Sequence, residues 1–332
     1  MRDPSTSGDK QEGVEAFRPR NRIIAVGGAK GGIGKTLLAA NLGIFLSSQG
    51  RRTILVDLDL GAGNLHLLLG IWNLKRKIQD FLDKEIPDIE DVMIPSKYGP
   101  YLVGAGTAAF GSSNIHFARK IKLLKAIKRL NADYIILDLG GDTSYNVIDY
   151  YLLSDYGIVV TTCDPASYLD AYGFIKMALF RKLSRLFGTE SEFRKQKDLD
   201  LVQLINDFVT PKSRDRAQYV SDLLNTIRQD APRSFALAER VVAEFKPNLM
   251  VNMVGKDSEA VELVERIRKV TKKMLSVHVD LLGSIPYHVN IKSSAKELVP
   301  EIAKYPHGVF AAHLPGVVHK MEQSFASGPS LL

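Results

Sequence analysis

One cysteine in 332 residues, Cys163, excludes an internal disulfide framework and any site that needs several thiolates from one chain. The seven histidines are scattered without HxxxH-like spacing, so no imidazole-built metal site is expected. No apolar run approaches the roughly 20 residues that a membrane-spanning helix needs. The opening MRDPSTSGDKQEGVEAFRPRN is polar and has no apolar secretory core. The expectation is therefore a cytoplasmic protein. Internal repeats, low-complexity blocks and Pro/Gly/Ser linkers are missing too, so a single domain is expected. Charge of one sign is only mildly in excess, with a formal net charge of +7. Such an excess serves solubility and leaves contact with an anionic surface open.

What is present reads as a globular α/β chain, 45% hydrophobic and 24% charged. Residues 1–20 are polar enough to be a disordered tail, and 327–332 form a second short tail. Between them, over 21–326, short apolar runs alternate with helix-period stretches. The runs are RIIAVGG, RTILVDLDL, YLVGAG, DYIILDLGG, YGIVVTTCD, PNLMVNMVG and VDLLGSIP. Nearly continuous Ile, Val and Leu predict strands covered on both faces. KTLLAANLGIFLSSQG has a helical period and ends at Gly50, a C-terminal cap. The alternation implies a mostly parallel twisted sheet with helices on both faces. A helical insertion is expected at about 181–247, from YVSDLLNTI and FALAERVVAEF.

Residues 29–36, Ala29, Lys30, Gly31, Gly32, Ile33, Gly34, Lys35 and Thr36, join the first strand to the first helix. Glycines at 31, 32 and 34 let backbone N–H groups turn inward, and the helix N-terminus adds positive potential. Lys35 can reach β- and γ-phosphates, and the Thr36 hydroxyl can ligate Mg²⁺. The segment reads as a nucleoside triphosphate site.

A strict phosphate loop would carry glycine at 29; this chain has KGGxGKT beginning at Lys30. In that respect it resembles the deviant P-loop ATPases of the MinD/ParA group, a SIMIBI-type P-loop NTPase fold. The resemblance implies ATP and Mg²⁺ as ligands and an ATP-dependent homodimer. It implies that Lys30 reaches the partner subunit's phosphates, as an arginine finger does in trans. Read on the residues alone, Lys30 could instead neutralise phosphates of its own subunit. Leu37 follows where many relatives carry a hydroxyl residue.

ILVDLDLGAGN follows the second strand run, and alternation puts Asp57 and Asp59 on one face at its carboxyl end. On the residues alone they read equally as helix caps. By resemblance, Asp57 helps hold the Mg²⁺ water shell, Asp59 orients the attacking water and Asn64 lies near the dimer face. Asp138 in DYIILDLGGDTSYN ends an apolar strand and matches the Walker B position, holding Mg²⁺ through water. The D-x-x-G-D pattern resembles the nitrogenase iron protein, which implies a catalytic Asp142. The alternative reading of Asp142 as a cap of the next helix stays open.

Asn252, at the end of LMVNMV, has an amide that can read the adenine edge. Pro286 in GSIPYHV matches the group's G-x-I-P turn, which lines the base. No NKxD motif is present, which favours ATP over GTP. The flanks of the D-x-D and D-x-x-G-D motifs are most similar to the FlhG/FleN (YlxH-type) regulators of flagellar number and placement. That resemblance implies a protein partner such as a flagellar regulator or switch component. DNA is a further candidate partner, through Arg119, Lys120, Lys122, Lys125, Lys128 and Arg129 on one basic helix. A membrane is another, with peripheral binding at the inner face through HGVFAAHLPGVVHKMEQSFASGPSLL, an apolar stretch that Pro315-Gly316 is expected to interrupt.

Overall fold

The computed structural model describes residues 21–61, 63–106, 117–188, 198–209 and 219–326. The two expected tails, 1–20 and 327–332, lie outside the described residues. The first half of the chain runs β1 (Arg22–Gly27), α1 (Lys35–Ser48), β2 (Thr53–Asp57), α2 (Leu65–Leu68) and α3 (Ile78–Leu82). It continues through β3 (Ile94–Pro95), β4 (Tyr101–Val103), α4 (Phe117–Arg129), β5 (Tyr134–Asp138), α5 (Tyr145–Tyr151) and β6 (Tyr156–Thr162). Four helices follow: α6 (Pro165–Phe187), α7 (Leu199–Val209), α8 (Val220–Asp230) and α9 (Pro232–Glu244). The chain then forms β7 (Asn248–Val254), α10 (Asp257–Leu275), β8 (Asp280–Pro286), α11 (Val289–Glu297), α12 (Glu301–Lys304) and α13 (Val309–Ala326).

The strands make one 8-stranded sheet in the order β3-β4-β2-β5-β1-β6-β7-β8. Every pairing is parallel except β3 with β4. The expected mostly parallel sheet is therefore found. The two-residue β3 escaped the sequence reading because so short a strand shows no alternation. Helices cover both faces, and the pleat decides which residue meets which layer. Ile23 and Ala25 of β1 join a core with α3–α6, α10 and the insertion, whereas Ile24 and Val26 join one with α1, α2 and α13. Gly50 follows the end of α1 with φ 75°, the left-handed conformation that lets the helix stop there.

The parallel register aligns the carboxyl ends of the central strands. Val26 and Asp57 both stand opposite Asp138. The crevice above these ends is where an open α/β sheet holds ligands.

Three peripheral features change the sequence picture. The insertion consists of α7, α8 and α9, and it packs on α6 and α10. Leu201, Ile205, Leu223, Ile227 and Val241 are buried there, so it thickens the core. The basic helix α4 is partly engaged within the fold. Lys120 is buried and pairs with the buried Asp149, Arg119 pairs with Asp83, and Lys122 donates to the Phe81 carbonyl. Lys125, Lys128 and Arg129 remain exposed. Finally, Pro315-Gly316 does not interrupt the C-terminal segment: α13 runs through both. They lie on the exposed side, where water can serve the carbonyl that loses its intrahelical partner. Phe310, Leu314, Val317 and Met321 are buried on the other side, so this apolar stripe belongs to the core.

Candidate functional site

The loop between β1 and α1 is shaped by its backbone. Gly32 and Gly34 have φ of 77° and 91°, values that residues with a Cβ seldom adopt. Ile33 is the loop's anchor, buried in the core beneath it. Ala29 lies against the opposite core layer, and Leu37, in the first turn of α1, packs against the layer that holds Ile33. The two lysines occupy different environments. Lys35, only 7% exposed, donates to the Lys30 carbonyl at 2.7 Å. Burial lowers the pKa of its ammonium, while Asp138, Asp59 and Asp142 push it back up. The Lys30 side chain is half-buried and has no hydrogen bond or ion pair among the described residues.

The carboxylates gather under the loop, as the strand register requires. Asp57 is fully buried and accepts from the Asp59 N–H at 3.1 Å and the Leu65 N–H at 3.3 Å. It therefore ties β2 to the start of α2. Gly63 lies against this carboxylate so closely that a Cβ there would sit 2.5 Å from Asp57 Oδ2. The signal for Gly63 in the sequence is GAGN after a strand-end D-x-D, and only the fold shows the close approach. Asn64 stands exposed beside it.

Asp138 is also buried, and its Oδ1 has no hydrogen-bond partner among the described residues. Desolvation raises its pKa to about 7, although the Thr36 hydroxyl and Lys35 pull it down. Asp57 is raised well above the usual carboxylate range by desolvation and by Asp138. Two adjacent buried carboxylates of this kind favour binding of a further cation. Among the described residues no three His, Cys, Asp or Glu side chains group to hold a metal alone. A divalent ion bound here would complete its shell with Thr36, water and phosphate oxygens, which suits Mg²⁺.

Asp142 is exposed, and its Oδ1 accepts from the Ser144 N–H at 2.7 Å. It thus steadies the entry to α5, where the Ser144 hydroxyl caps the Val147 N–H. The same segment leans on the phosphate loop: a Cβ on Gly141 would meet Gly31 N at 3.0 Å. A Cβ on Gly140 would lie 3.8 Å from the Asp59 carboxyl carbon and 3.9 Å from Asp142 Oδ2. Asp59 and Asp142 therefore flank one point above the sheet. Next to it opens a cleft of about 400 Å³ between Ala29, Gly141 and Asp142 on one side and Leu169, Gly173 and Met177 of α6 on the other.

Asn252 and Pro286 close the far side, at the carboxyl ends of β7 and β8. The strands slip register between Val251 and Val254, and Met253 adopts φ 58° in the bulge. Pro286 is half-buried opposite Val254, whose carbonyl accepts from the Tyr287 N–H at 2.9 Å. Asn252 is buried, and its Nδ2 donates to the Ile33 carbonyl at 2.8 Å. The structure thus gathers Lys35, Thr36, Asp57, Asp59, Asp138, Asp142 and Asn252 around the loop, whereas Pro286 is placed only against Val254 at the end of β8. Nothing in the sequence pointed to the bulge at Met253, because backbone sign is not written in residue type for methionine.

Comparison with known proteins agrees with this geometry. The family model for the CobQ/CobB/MinD/ParA nucleotide binding domain matches residues 24–300. The antiactivator FleN of Pseudomonas aeruginosa is 29% identical over 182 residues, covering 52% of this chain and 64% of that protein. The flagellum site-determining protein YlxH of Helicobacter pylori is 27% identical over 165 residues, covering 47% and 53%. The chain thus spans about half to two thirds of the length of these curated relatives. Among solved structures, the septum site-determining protein MinD of Pyrococcus horikoshii, complexed with Mg-ADP, has a TM-score of 0.58 at 19% identity. That match covers 91% of this chain and 96% of that one, and at such identity it speaks for the fold.

Proposed function

The chain belongs to the CobQ/CobB/MinD/ParA nucleotide-binding family, and from that premise we propose that it is an ATP-operated switch that dimerises to regulate or position a cellular assembly. The observation that carries this reading is the division of labour between its two loop lysines. Lys35 is buried among carboxylates, whereas the half-buried Lys30 side chain has no hydrogen bond or ion pair among the described residues. A loop that already holds Lys35 has the cation its own phosphates need. The second lysine is better placed to serve a second copy's nucleotide.

In this reading the N–H groups of Gly31, Gly32 and Gly34 and the Lys35 ammonium bind the phosphate chain. Thr36, Asp57 and Asp138 hold Mg²⁺, and the orphaned Asp138 oxygen is the structural support for that assignment. Bound Mg²⁺ supplies charge neutralisation at the phosphates. Asp59 and Asp142 orient the attacking water from either side of Gly140. Because both are anionic beside a γ-phosphate, turnover is slow until a partner supplies more positive charge. Pro286 lines the base. Similarity to FleN and to the flagellum site-determining YlxH supports a flagellar assembly as the cargo.

Light scattering tests the switch. Wild type with Mg-ATP should double in mass and with Mg-ADP stay monomeric. Lys30→Ala should bind ATP yet stay monomeric. If Lys30→Ala dimerises as wild type does, the trans role is wrong.

A further inference from the structure

Within the proposed nucleotide site, and resting on that reading, we infer that Asn252 is a positioning residue for the phosphate loop and acts on any bound phosphate chain whatever base is attached. Four observations converge on it. Asn252 is 7% exposed, and its Nδ2 donates to the Ile33 carbonyl at 2.8 Å. The contact spans 219 residues of sequence, so it joins β7 to the loop as a tertiary clasp. The same amide fills the space over the next residue: a Cβ on Gly34 would collide with Nδ2. Finally, Met253 keeps a left-handed φ of 58° at the register slip that ends β7, beside Asn252. Backbone strain of this kind persists where the surroundings fix it for a purpose.

The consequence follows from the planar trans peptide. The carbonyl of Ile33 and the N–H of Gly34 belong to one peptide and point in opposite directions. By holding the carbonyl toward β7, Asn252 directs the Gly34 N–H away from β7. That N–H has no hydrogen-bond partner among the described residues, so it is available to an anion. Without the clasp, the peptide can rotate and present its carbonyl oxygen to the phosphates, which repel it. Asn252 thereby makes one anion donor permanent, and Gly34 is glycine partly to make room for it.

Binding of inorganic tripolyphosphate with Mg²⁺, which has no base, separates this role from base reading. Titration calorimetry would compare it with Mg-ATP for wild type and Asn252→Ala, with circular dichroism to verify the fold. The expected result is a loss of about tenfold for both ligands, as for one hydrogen bond at this kind of site. A second arm uses Gly34→Ala. Its loss of tripolyphosphate affinity should be smaller in the Asn252→Ala background, because the atom its methyl group meets is gone. If Asn252→Ala weakens ATP binding but leaves tripolyphosphate untouched, the residue reads the base and the inference is overturned. The same holds if the two substitutions prove additive. A wild type that binds neither ligand overturns the nucleotide reading itself.

Discussion

Asp138→Asn should stabilise the protein without nucleotide while abolishing tight Mg-ATP binding. Asp138 is buried and its pKa is raised from 3.8 to about 7 by desolvation. In the unfolded chain the group ionises near the ordinary carboxylate value. The folded state therefore holds a proton that the unfolded state releases, across the window between the two values. Stability from this group is greatest below the unfolded pKa, falls as pH rises through the window, and is lowest above the folded pKa. Each pH unit in the window costs about 1.4 kcal/mol, so ionised Asp138 costs up to about 4 kcal/mol above pH ~7. The isosteric amide does not ionise and avoids that cost. Urea denaturation between about pH 5.5 and 7 should show wild type losing about 2 kcal/mol, with a shallower slope in Asp138→Asn, where the buried Asp57 alone keeps a raised pKa. Adding Mg²⁺ and nucleotide should flatten the wild-type profile too, because a bound dication favours the carboxylate. If Asp138→Asn is less stable than wild type at about pH 8, or keeps the same slope, the charge is compensated within the protein and the reasoning fails.

Other perturbations test other parts of the fold and site. Asp149 is buried among Lys120, Arg181 and Arg185, and it stays ionised because Arg181 and Lys120 outweigh the upward push of burial. Asp149→Asn leaves these cations without their anion and should cost about 3–5 kcal/mol in urea denaturation. Leu314→Asp puts a charge into the fully buried face of α13 and should cost about 4 kcal/mol or more, read as a lowered Tm. An unchanged Tm would mean that α13 is not core. Asp142→Ala removes the Ser144 N–H acceptor and should cost only about 1 kcal/mol of stability. Its ATP turnover should nevertheless fall about tenfold or more with nucleotide affinity kept, and unchanged turnover would leave Asp142 as a cap alone.

What the sequence determined by itself was whatever is encoded locally. Apolar runs such as YIILD and TILVD specify strands buried on both faces, because such segments have nowhere else to put their side chains. The spacing of glycines and lysines from Ala29 to Thr36 specifies a phosphate loop, because the backbone geometry it needs is a property of those residue types. Asp57, Asp59 and Asp138 were legible as strand-end carboxylates for the same reason. The tertiary structure alone decided which of these groups meet. Parallel register set Asp57 opposite Asp138, and only that pairing gives two buried carboxylates with raised pKa values. It also decided which polar side chains are already engaged. Lys120 reads as a surface cation yet is buried on Asp149, and Asn252 reads as a base-recognising amide yet donates to Ile33. The apolar stripe of α13 could have faced a bilayer by its composition, and packing against β8 and α1 made it core. Residue pattern fixes what a segment can bury or bond; long-range packing fixes what is there for it to bury against or bond to.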